Sequence, residues 1–176
     1  MSRERIELVL HALDTNSQWF GGPSPAGSLR GVSHNIAALQ ADGFSHSIWG
    51  LALHVAYWEY AVCRMLEDGS RGGFPRKPSN WPAMPEIPTA DAWKADRKLI
   101  TQARDTLKSA VVALPIDRLN EQASAKSKYT TMQLLMGVIQ HSVYHTGQIA
   151  LLKRWADRVE PSPRQCIRAC TSQEEK

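Results

Sequence analysis

Apolar residues recur every three or four positions through most of this chain, which is the period of a helix with one buried face. Ile6, Leu10 and Leu13 mark a first helix from about Ser2 to Thr15. The run "GGPSPAG" then breaks the chain. A short helix is expected within "SLRGVSHNIAALQ", with Ser28 as its cap. A long helix follows from about Ser45 to Glu67, with Ser45 or Ser47 at its start and Gly69 at its end. Gly50 lies inside that pattern at some cost in helix stability. Thr89 caps another helix, about Ala90 to Leu114, stopped by Pro115 and striped by Trp93, Ile100, Ala103, Leu107, Ala110 and Leu114. The last helix spans about Thr130 to Val159 and ends before Pro161. Alternating strand patterns are almost absent, and "YTT" is too short to count.

Four main helices joined partly by long connections predict an all-α four-helix bundle. It occupies residues 1–160, and residues 161–176 form a loosely ordered C-terminal tail without an apolar face. The longest connection, "DGSRGGFPRKPSNWPAMPEIP", holds five prolines and three glycines with Phe74 and Trp81 among them. A loop of that length in a compact domain is usually functional, and its aromatic residues favour packing onto the bundle.

The polar residues that interrupt the apolar seams carry the chemistry. On the last helix Leu134, Val138, His141, His145, Gln148, Leu152 and Trp155 are separated alternately by four and three. Three consecutive seam positions are therefore polar, and a buried polar group without a partner costs roughly 1–3 kcal/mol. The Ser45–Glu67 helix repeats the anomaly once, with His54 in the seam Ser47, Leu51, His54, Trp58, Ala61 and Met65. If the two helices face each other, one metal ion satisfies all three imidazoles. Neutral imidazole suits zinc, nickel, copper or iron, and three protein ligands leave a coordination position open. The competing reading is three core histidines satisfied by hydrogen bonds. The pattern is not that of a zincin, because Ser142 follows His141 where the general-base glutamate would stand. Glu59 is read as an ion-pair residue. Gln148 shares the histidine face as an outer hydrogen-bonding group or an ordinary core contact, and Tyr57 and Tyr144 are proton donors or packing residues. His11, His34 and His46 lack a partner at ligand spacing and are assigned to surface, cap or loop.

Composition narrows the class. The chain has 176 residues, 43% hydrophobic and 22% charged, enough for one domain that folds without disulfides. The net charge of +4 is scattered, with no basic run of five, so nucleic acid is not an expected partner. Cys63, Cys166 and Cys170 make an odd count with no framework, pointing to reduced thiols and a cytoplasmic protein. The N-terminal stretch lacks the apolar core of a secretory signal, and no apolar run approaches the ~20 residues of a membrane span.

Three stretches, "HSIWGLALHVAYWE", "NWPAMP…AW" and "GVIQHSVYHTGQIALLKR", resemble the DinB-like (DinB/YfiT) superfamily, in the right order over roughly residues 5–155. The resemblance implies an up-up-down-down four-helix bundle, often a homodimer. It also implies a divalent metal, commonly zinc or nickel, on His54, His141 and His145. Relatives implied by it include thiol-dependent transferases and isomerases that use low-molecular-weight thiols, some hydrolases, and members without known activity. The expectation is therefore a metal-dependent enzyme on a small molecule, of the thiol S-transferase type. A hydrolase or a non-catalytic, stress-associated metal-binding dimer is the alternative. No catalytic residue beyond the metal ligands is singled out.

Overall fold

The computed structural model describes residues 3–14, 23–68, 73–125 and 127–159. The tail with Cys166 and Cys170, and the helix-ending roles of Gly69 and Pro161, lie outside them. Among the described residues six α-helices form: α1 (Glu4–Asp14), α2 (Pro25–Ser28), α3 (His34–Ala38), α4 (Ile48–Asp68), α5 (Ala90–Ala113) and α6 (Thr131–Val159). A 3₁₀ turn, Ile116–Asn120, follows α5. No β-strand forms among the described residues, only the isolated bridge of Gln122 with Thr130.

Local chemistry sets the boundaries. Thr89 Oγ1 accepts from Ala92 N at 3.2 Å and opens α5. Ser47 Oγ accepts from Gly50 N at 3.2 Å, so of the two candidate serines Ser47 caps α4. Helix α2 lies mostly ahead of the expected helix, in the stretch read as a break, and within residues 28–40 only α3 forms, with Gly31 at φ +74° between the two. Ser24 caps the first and Ser33 the second. Ser28 is thus the last residue of α2 rather than a cap, its hydroxyl donating to Pro25 O.

The consecutive helices α4 and α5 run in the same direction. Near their starts Trp49 meets Trp93 at 4.9 Å between ring centroids and donates to Asp96 at 2.9 Å. Midway Glu59 pairs with Arg104, and at the far end Val62 and Leu66 share a cluster with Leu107 and Val111. Helix α6 runs the other way: Leu152 packs near the start of α4 and Leu135 near its end. A parallel consecutive pair needs a long crossover, and residues 68–88 supply it.

The core forms two main clusters. One gathers α1 with the last turns of α4 and α5 and the first of α6. The other gathers residues 29–41 with the start of α4, Trp93 and the end of α6. Helix α4 touches α3, α5 and α6, and is buried on nearly every side from Ile48 to Tyr57. On α6 the most buried line is Leu135, Val138, Ser142, His145, Ile149, Leu152 and Ala156. Leu134, His141, Gln148 and Trp155 are only half-buried, so the histidine seam lies at the core's edge, where the crossover loop covers it.

Candidate metal centre

The antiparallel packing of α4 on α6 brings His54 level with His141 and His145, which the helical repeat of four places on one face of α6. One ring nitrogen from each lies within 4.8 Å of the others. The Nε2 atoms of His54 and His141 are 3.0 Å apart. A tetrahedral ion with bonds of about 2.0–2.1 Å holds its nitrogens about 3.3 Å apart, close to this spacing. Among the described residues no cysteine or carboxylate joins the group.

Hydrogen bonding orients two of the three rings. The Asn80 carbonyl, which can only accept, sits 2.5 Å from His54 Nδ1, so Nδ1 carries the proton and the Nε2 lone pair faces the cluster. Gln148 Oε1 is 2.6 Å from His145 Nδ1, while Gln148 Nε2 donates to the Tyr144 hydroxyl at 3.1 Å. The same tautomer follows for His145. Such outer partners are the usual means of fixing a histidine ligand. His141 Nδ1 is buried and has no hydrogen-bond partner among the described residues.

Burial is the main cause holding all three imidazoles neutral. It pushes His54 down to about 4, against the bond to Asn80, with His145 and His46 adding to the fall. His141 is pushed down to about 4 by burial and then by its two histidine neighbours. His145 is lowered by burial and His46, against the bond to Gln148. Neutral imidazole is the form a metal needs.

The crossover loop forms a wall of the site. Trp81 stacks on His54 with centroids 3.6 Å apart and planes 3° from parallel, and stacks on His46 at 3.6 Å and 8°. Asn80 Oδ1 accepts from Trp58 Nε1 at 2.9 Å. Farther along, Phe74 is buried against Tyr57 and Tyr60, and Arg76 bonds the fully buried Asp96 at 2.7 Å. The sequence assigns His46 to surface, cap or loop, and its contact with Trp81 carries no pattern that spacing reveals. Asn80 is missed for the same reason, although Asn next to Trp in a Pro-rich loop marks a turn.

The other sequence candidates sort as follows. Glu59 is an ion-pair residue: its carboxylate is bound by Arg104 and by the Ser142 hydroxyl, and its buried Oε2 has no hydrogen-bond partner among the described residues. Tyr57 packs edge-on against Trp58 and Phe74. Tyr144 is largely exposed, packs on His145 and accepts from Gln148. Cys63 is buried in the core, away from the histidines, and burial pushes its thiol up to about 11.

A family model, the DinB superfamily, matches residues 2–149. The chain belongs to the DinB superfamily. A comparison with curated proteins and one with solved structures gave no match. Membership agrees with the helical bundle and with three adjacent histidines that can hold a metal ion. No helix among the described residues of this DinB-superfamily chain is long and apolar enough to cross a membrane.

Proposed function

We propose that His54, His141 and His145 bind one divalent metal ion, zinc or nickel, in an enzyme acting on a small molecule. The observation that carries this reading is the convergence of three neutral imidazoles, two buried and that of His141 half-buried, with one nitrogen from each within 4.8 Å of the others. Two of them already present their lone pairs inward. The chemistry of the donor set fits such an ion. When bound, it supplies Lewis-acid activation of a thiol or a water at its open position.

The protein's own residues contribute orientation and exclusion. Asn80 and Gln148 hold two imidazoles, and Trp81 and Trp58 wall them from water. Among the described residues no carboxylate joins the three histidines, and Glu59 is held by Arg104. A low-molecular-weight thiol, more acidic than water, loses its proton with less help, and the reading therefore takes thiol transfer ahead of hydrolysis. Hydrolysis, or metal binding without turnover, is the alternative.

The test is elemental analysis of the purified protein beside a His145→Ala variant. Near-stoichiometric zinc or nickel in the first and its loss in the second is expected, and equal content in both rejects the site. A screen with bacterial thiols and electrophilic acceptors then separates the activities. Turnover that is independent of thiol points to the hydrolase. A homodimer is also part of this reading, supported by the exposed Met136, Tyr144 and Leu151, which recur at heptad-like spacing along α6. Sedimentation equilibrium returning a monomer at micromolar concentration removes that part.

A further inference from the structure

We propose that Asn80 is a positioning residue for the centre, delivering its backbone carbonyl to His54 from a left-handed conformation. The inference rests on the metal reading above and adds to it a coupling between the crossover loop and one ligand. His145 is held by Gln148, one turn away on its own helix, so its acceptor is present whenever α6 is folded. His54 differs. Its acceptor is 26 residues away, on the loop, and reaches it only when that loop is docked.

Four contacts define the arrangement. The Asn80 carbonyl takes the His54 Nδ1 proton at 2.5 Å. The Asn80 side chain takes the Trp58 indole proton at 2.9 Å, pinning the same residue to the next turn of α4. Trp81, its chain neighbour, covers the face of the His54 ring. The Asp96 carboxylate receives Arg76 and ties the loop to α5. Two consecutive loop residues thus fix both the edge and the plane of one ligand, which sets its tautomer as well as its rotamer.

The backbone explains the residue type. Asn80 has φ +73°, the left-handed region. Asn enters it at small cost and Gly at none, whereas a β-branched residue is a genuine outlier there. A substitution series at position 80 therefore separates the carbonyl's delivery from the side chain's own bond. Asn80→Gly keeps the conformation and loses only the bond to Trp58. Asn80→Ala adds modest strain, and Asn80→Val opposes the conformation outright.

The experiment uses the full chain and two readouts. Zinc affinity is measured by competition with a chromophoric chelator. The His54 tautomer is read from imidazole ¹⁵N spectra of chelator-treated protein. Expected is an Nδ1-protonated His54 in the parent and in Asn80→Gly, with zinc affinities within about threefold of each other. In Asn80→Val the tautomer mixes and affinity falls about 10–100-fold, the usual effect of losing an outer partner, with Asn80→Ala between. A folded Asn80→Val protein that keeps both tautomer and affinity overturns the proposal. So does an Asn80→Gly protein that loses as much as Asn80→Val, because the side chain would then be the determinant. If Asn80→Val fails to fold, Asn80→Ala against Asn80→Gly decides by the same criteria. If the parent takes up neither zinc nor nickel, the metal reading falls, and the tautomer series alone decides the role of Asn80.

Discussion

At the scale of single residues, the most demanding group in the bundle is Glu59, not a histidine. Its side chain is 1% exposed, and its charge is met by Arg104, which also donates to Leu13 O at 2.8 Å, and by the Ser142 hydroxyl. The pair ties α4 to α5 and, through Leu13, to α1. Removing one partner leaves a charge in the core, and Arg104→Met is expected to cost about 3–5 kcal/mol, read from urea unfolding. Replacing both, in Glu59→Leu/Arg104→Met, removes the uncompensated charge and should recover most of that loss. A double variant as unstable as the single one would assign the loss to packing instead. The acid's ionic role was legible in the sequence, because a carboxylate amid an apolar helical run needs a partner. The identity of Arg104, 45 residues away, was not, since helical periodicity says which face is buried but not which residues meet across it. The histidines were legible for a related reason: a polar residue in an apolar seam stands out. Asn80 and His46 carry no period that marks them, and only the docked loop reveals their roles. Trp81 was legible as a loop aromatic expected to pack on the bundle, but not as the partner of His54.

At the scale of elements, the expected long helices all form, with ends shifted by a few residues at most where the ends are described. Strong periodicity and chemically distinct caps account for that. The segment 23–41 was less legible because its two single-turn helices, with Gly31 at positive φ between them, are too short to show a period. Helix α4 shows another limit of pattern reading. It is buried on nearly all sides, so its apolar residues surround the axis and no single seam marks its partner. Its interior glycine can be tested directly. A Cβ built at Gly50 meets nothing nearer than Ser47 Oγ at 3.7 Å, an ordinary contact, and Gly50 has a helical backbone. Gly50→Ala is therefore expected to stabilise the fold by about 0.5–1 kcal/mol, through helix propensity. A fall in the unfolding midpoint would show that the position needs its small residue for a contact that the described residues do not contain.

At the scale of the whole molecule, the three histidines link folding to pH and to metal in a way that can be worked out in sign. An unfolded histidine titrates near 6.5, whereas His54 and His141 in the fold are pushed down to about 4. Between these values the unfolded chain binds more protons than the folded one, so stability rises with pH across that window. For the chelator-treated protein this predicts a flat stability above pH ~6.5, a decline as pH falls from there, and no further contribution from these groups below pH ~4. For a domain of this size each kcal/mol moves the melting temperature by about 2–4 °C, within reach of calorimetry. A divalent ion held by the three histidines would add a second dependence, because it would bind only the fold that assembles all three imidazoles and stabilise it by mass action. Its ligands must be unprotonated to bind, and in the fold His54 and His141 take up protons only near pH ~4. Protonation of the unfolded chain lowers the stability of zinc-loaded and chelator-treated protein alike, so it cancels in the gap between their melting temperatures. That gap should therefore change little from pH ~7.5 to pH ~5 and close as the pH falls toward ~4. A gap that already closes around pH ~6.5 would mean that the ligands titrate like unperturbed histidines. Zinc would then be bound away from His54, His141 and His145, and the burial that lowers them would serve packing alone.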